Sequence, residues 1–99
     1  LHEILMICRA RFEDPSLNIK TLSGELNLDR TTLLRIFRKK MNISPSEYLS
    51  MLRLQRALSL LQNPRLSLSE IAEQSGFRDS NYFCRFIRKN TGKRPSQWR

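Results

Sequence analysis

Ninety-nine residues with 39% hydrophobic content make one ordinary domain, or two very small subdomains sharing a core, and 3 Gly with 4 Pro suits an all-α chain. The balance of 18 Lys+Arg against 9 Asp+Glu, a formal +9 with pI near 10.6, favours a polyanionic partner, nucleic acid before membrane. Two cysteines, Cys8 and Cys84, and the single His2 are too few for a disulfide framework or a zinc site, so no metal or cofactor is expected, and the simple reading is a reduced cytoplasm.

The chain starts at Leu1 rather than Met, which suggests a piece of something longer. Leu1 to Phe12 reads as a first helix with Leu1, Ile4, Leu5, Cys8 and Phe12 on one face; Glu3 and Arg9 interrupt it, so it is neither a signal peptide nor a membrane span. Asp14-Pro15-Ser16 breaks it. Asn18 can cap a short helix, Ile19 to Leu26, that buries Ile19, Leu22 and Leu26. Asp29 can cap a third, running to about Met41, that buries Leu33, Ile36, Phe37 and Met41. Asn42 ends it.

Ser44 to Gln62 is the spine of the chain. Ser44 can cap it, Pro45 suits the first helical position, and Asn63-Pro64 ends it. Tyr48, Met51, Leu52, Leu54, Leu58 and Leu61 recur at helical spacing, and Leu49, Ala57 and Leu60 widen the band. A helix apolar on more than one side needs neighbours on more than one side. Ser67 and Glu70 then match a capping box for Leu68 to Ser75, which Gly76 stops. Asp79 caps Ser80 to about Thr91, Gly92 stops it, and Pro95 opens a last turn to Arg99.

One half can be laid on the other. Leu22 aligns with Ile71, Asn27 with Gly76 and Leu28 with Phe77; after one inserted residue Leu33 aligns with Phe83, Arg35 with Arg85, Phe37 with Ile87, Asn42 with Gly92, Pro45 with Pro95 and Tyr48 with Trp98. Asn and Gly are the residues that most readily take left-handed backbone angles. Each half therefore puts such a residue between its two helices and again after the second. The expected fold is all-α, two helix–turn–helix subdomains joined by a long central helix, about seven helices in all. The expected divisions are 1–43, a connecting helix over 44–63, and 64–99.

Two short helices joined by a tight turn, the second one basic, read as a DNA-binding helix–turn–helix. Arg30 to Ser46 and Ser80 to Arg99 contain no acid. With Leu33, Ile36 and Phe37 inward, Thr31, Leu34, Arg35 and Arg38 point out; with Phe83, Phe86 and Ile87 inward, Asn81, Cys84, Arg85 and Arg88 point out. Arg bonds guanine bidentately, Asn bonds adenine, and Leu34 or Thr31 suits a thymine methyl. Arg30, Arg38, Lys39, Lys40, Arg88, Lys89, Lys93, Arg94 and Arg99 suit phosphate or mixed contacts, and Tyr82 is either a phosphate ligand or a half-buried ring. Cys84 is either a small residue at the groove or a semi-buried thiol. His2 is assigned to the surface and Cys8 to the core.

GFRDSNYFCRFIRKNTGKRPSQWR, residues 76–99, closely resembles the signature of the AraC/XylS family of bacterial transcription regulators. The resemblance implies a sequence-specific double-stranded-DNA-binding domain, usually of an activator, that inserts recognition helices at about 30–41 and 80–91 into successive major grooves. It also implies contact with RNA polymerase and a separate effector-binding or dimerisation domain outside this chain. By the same resemblance the groove-facing positions are Thr31, Leu34 and Arg35, then Asn81, Tyr82, Cys84 and Arg85. The chain departs from the pattern at Phe86 and Ile87, where bulk and branching are exchanged.

No nucleophile beside a base, carboxylate pair or phosphate loop is visible, so an enzyme is not expected. A protein-interaction module and a non-specific architectural DNA binder are the rival readings.

Overall fold

The computed structural model describes residues 1–98, and every regular element among them is helical. The elements are α1 His2–Arg11, α2 Ile19–Leu26, α3 Arg30–Met41, α4 Pro45–Leu60, α5 Leu68–Gln74, α6 Ser80–Thr91 and a 3-10 turn, Pro95–Trp98. The fold is the all-α pair of helix–turn–helix subdomains that the repeat predicts. The chain divides into two compact units, Leu1–Leu52 and Arg53–Arg99, and α4 runs from the first into the second.

Apart from α1, whose cap position is held by Leu1, each α-helix begins where a side chain replaces a missing backbone acceptor. Asn18 accepts from the Thr21 N–H while Thr21 Oγ1 accepts from the Asn18 N–H; Ser67 and Glu70 do the same for α5. Ser44 and Glu47 form a third such box at the start of α4, with bonds of 3.1 and 3.3 Å. Asp29 and Asp79 cap α3 and α6. The residue before four of these caps is aliphatic: Leu17, Leu28, Ile43 and Leu66. Each shares a core with the residue five positions on, Leu22, Leu33, Tyr48 and Ile71, the hydrophobic staple that fixes the angle at which a chain enters a helix.

The first unit packs Leu22, Leu33 and Phe37 against Ile4, Cys8, Leu17, Tyr48 and Leu49. The Phe37 and Tyr48 rings lie 5.6 Å apart, and Tyr48 Oη accepts from Arg9 Nε at 2.9 Å, which fastens α1 to α4. The second unit packs Ile71, Ala72, Phe77, Phe83 and Ile87 against Ala57 and Leu61. Burying a side chain such as Phe83 contributes roughly 1.5–3 kcal/mol, so each small core gains most of its stability from a few residues. Ser75 Oγ is buried in the second unit with no hydrogen-bond partner among the described residues.

Two expectations about the spine are corrected. Met51 is 40% exposed: the first core takes Tyr48, Leu49 and Leu52, and Met51 falls at the edge of that stripe. The helix also ends at Leu60, before Asn63-Pro64. The Gln62 and Asn63 N–H groups reach back only three residues, to Ser59 and Leu60, tightening the last turn, and Asn63 Oδ1 takes the Arg65 N–H.

Candidate nucleic-acid interface

The two helix–turn–helix motifs share their backbone settings. Asn27 (φ 54°) and Gly76 (φ 94°) are left-handed in the turns, and Asn42 (φ 62°) and Gly92 (φ 79°) are left-handed after α3 and α6. The Asn42 and Gly92 N–H groups bond the aligned carbonyls of Arg38 and Arg88 at 2.9 and 2.8 Å. The turn thus reverses the chain at the same point in each module, and the second helix starts on a capping aspartate in each.

That geometry sets which side chains face outward. Thr31, Arg35 and Arg38 are exposed on α3, and Asn81, Arg85 and Arg88 on α6. Arg30, Lys39, Lys40 and Lys89 are exposed as well. Among the described residues, no cation of α3 or α6 is in ion-pair contact with a carboxylate; the Arg11–Glu25 pair, 2.7 Å, joins α1 to α2. The Thr32 backbone N–H holds the Asp29 carboxyl below the usual carboxylate range, helped by the Thr32 side chain and then by the Arg35 charge. Arg35 feels the Asp29 charge without forming an ion pair with it, so the outward cations of α3 and α6 remain unpaired among the described residues.

Leu34 and Cys84, which occupy aligned positions, are part-buried rather than freely outward. Cys84 packs against the second core with part of its surface left exposed. Tyr82 is 53% exposed, with its ring 6.0 Å from Phe77 and 6.5 Å from Phe86. About half of it is covered, with one flank leaning on the aromatic cluster. Cys8 is fully buried and His2 exposed.

Lys93 and Arg94 are exposed beyond α6. Lys93 Nζ sits 5.4 Å from the centre of the Trp98 ring, a cation–π contact that gives it a local role. The Arg94 N–H donates to Gln97 Oε1 at 2.8 Å, and Trp98 Nε1 donates to Thr91 Oγ1 at 3.2 Å. These bonds pin the 3-10 turn to the end of α6. Neither Thr91 nor Gln97 stands out in the sequence, although Gln97 is the third residue of the turn that Pro95 opens, where a capping side chain is common. Arg99, an expected phosphate ligand, lies outside the described residues.

A family profile described as "Helix-turn-helix domain" matches residues 22–99. The Msm operon regulatory protein of Streptococcus mutans is 42% identical over 84 residues, which cover 85% of this chain and 30% of that protein. The chain spans less than a third of the length of the curated relatives it matches, such as this one at 30%. Among solved structures, the C-terminal domain of the two-component response regulator yesN from Fusobacterium nucleatum superposes with TM-score 0.93 at 34% identity, covering 99% of this chain and 95% of that one. A transcriptional regulator from Chromobacterium violaceum, described as AraC-type and DNA-binding-domain-containing, superposes with TM-score 0.81 at 29% identity, covering 100% and 88%.

Proposed function

The chain belongs to the AraC-type helix–turn–helix family, and on that premise we propose that it is the sequence-specific, double-stranded-DNA-binding domain of a bacterial transcription activator. One observation carries this reading. Each module presents an outward face whose cations make no ion-pair contact with a carboxylate among the described residues, with Arg35 and Arg85 in the same register.

On this reading α3 and α6 enter successive major grooves. Arg35 and Arg85 bond guanine edges, Asn81 bonds adenine, and Thr31 with the part-buried Leu34 meets thymine methyls. Cys84 adds a small surface at the groove. Arg30, Arg38, Lys39, Lys40, Arg88, Lys89 and Arg94 neutralise phosphates, and the Tyr82 hydroxyl reaches one. Lys93 joins them to the extent that its ring contact leaves it free. Activation through contact with RNA polymerase, and an effector-binding or dimerisation domain elsewhere in a longer cytoplasmic protein, is what the family resemblance implies.

Selection of bound duplexes from a random pool tests the proposal. It should return a motif with two unlike elements, because Thr31, Leu34 and Arg35 differ from Asn81, Cys84 and Arg85. Affinity should fall about 10³-fold or more between 50 and 200 mM salt if six or more phosphates are neutralised. Equal affinity for selected and random duplex would make the chain an architectural binder. Salt-insensitive binding to a protein, with none to DNA, would make it an interaction module.

A further inference from the structure

The single insertion that separates the two repeats falls between Phe77 and Asp79, and the inserted residue is Arg78. Its position has an ordinary occupant. Ahead of the caps of α2, α3, α4 and α5 stand Leu17, Leu28, Ile43 and Leu66, each in a core with its staple partner. Ahead of the α6 cap stands an exposed arginine. The staple role has moved back one residue to Phe77, whose ring lies 5.3 Å from that of Phe83.

Arg78 does nothing visible for the fold. Among the described residues it has no hydrogen-bonding or ion-pair partner. The adjacent carboxylate of Asp79 is engaged with the Asn81 N–H at 2.7 Å. A cation just before a helix start also opposes the helix dipole, which favours negative charge there. The first module carries its own cation at the same end, Arg30, directly after the cap rather than directly before it. An arginine placed against local stability in both modules points to an anion supplied from outside.

We propose that Arg78 is a positioning residue of the DNA interface, holding a backbone phosphate at the edge of the groove that α6 enters. This rests on the DNA-binding reading above. In a helix–turn–helix the first residues of the second helix meet base edges, so the segment just before it passes the phosphates that border the groove. Phe77 packed in the core on one side and the bonded Asp79 on the other hold the backbone from which Arg78 projects.

The test uses the whole chain with a selected duplex and a random duplex of equal length. Arg78→Ala and Arg78→Leu, the second restoring the usual apolar occupant, should weaken both duplexes alike. Each should flatten the slope of log affinity against log salt by about 0.9, the increment of one phosphate. Arg78→Lys should keep the parent slope, and no variant should melt below the parent. A salt-sensitive parent with unchanged slopes in the Ala and Leu variants would overturn the role of Arg78 alone. Loss confined to the selected duplex would make it a base reader, and a lowered melting temperature in both would make it structural; either overturns the assignment. A parent that bound no duplex would overturn the underlying reading and this one with it.

Discussion

In the first module the buried pair of the second helix is Leu33 and Phe37; in the second module the aligned pair is Phe83 and Ile87. Aromatic and aliphatic residues have changed places at two positions one helical turn apart. The two cores differ further. The first leans on α1 and the Phe37–Tyr48 ring contact, and the second on a cluster of Phe77, Phe83, Phe86 and Tyr82. Yet the left-handed residues, the capping aspartates and the outward arginines coincide. Volume and position carry the fold, since cores accept exchanges that conserve volume and pattern. The irreplaceable settings are those of the backbone.

The largest expected effect breaks this equivalence if it is false. Phe37→Ala and Phe83→Ala should each destabilise by about 3–5 kcal/mol, as loss of a fully buried ring does. Urea denaturation should find the two costs similar. A small cost for one would show that its module does not depend on the shared core position.

Next come the turns. Gly76→Val should cost at least about 1–2 kcal/mol, because a β-carbon is disfavoured at left-handed angles. Gly92→Ala isolates the backbone part, since among the described residues nothing beyond its two chain neighbours lies within 4 Å of the β-carbon it would add. Asn27→Gly and Asn42→Gly make the first module resemble the second and should leave stability the same or slightly higher. Unchanged melting of Gly76→Val would refute the placement of the turn.

Much of this was legible in the sequence because it is local. Asn18, Asp29 and Asp79 mark α2, α3 and α6 by their own hydrogen bonds, and Asn or Gly at aligned positions marks the turns. What was not legible depends on neighbours distant in sequence. Met51 fits the helical period of α4 and is exposed, since its burial depends on how the first core meets that helix. Leu34 and Cys84 point outward by period and are part-covered. The Arg9–Tyr48 bond joins residues that no motif links. Leu17 could have been found: an aliphatic residue before a capping Asn, with Leu22 five positions on, is a local signal.

A smaller effect separates the modules at the residue before the turn. Ser75 is buried, its hydroxyl unbonded among the described residues, where the first module has the part-buried Leu26. Ser75→Ala should raise stability by about 1 kcal/mol, the lower end of what an unsatisfied buried polar group costs. A fall in the urea midpoint would mean the hydroxyl has a partner.

The smallest effect is at the Asp29 cap. Its carboxyl is held below the unfolded value, chiefly by the Thr32 N–H, so its contribution is present above the unfolded value and lost as pH falls through the folded one. The difference in melting temperature between the parent and Asp29→Ala should hold steady above the ordinary aspartate value of about 3.9 and shrink below it. A difference that grew on acidification would contradict the cap.

The central claim is that both modules read DNA, each through its own helix. Repeating the duplex selection with Arg35→Ala and Arg85→Ala tests it most directly. Each variant should lose about 1–3 kcal/mol on the parent's selected site and relax preference at one element, a different element for each. Relaxation of the same element by both variants, or equal loss on selected and random duplex, would contradict a chain that reads with two helices.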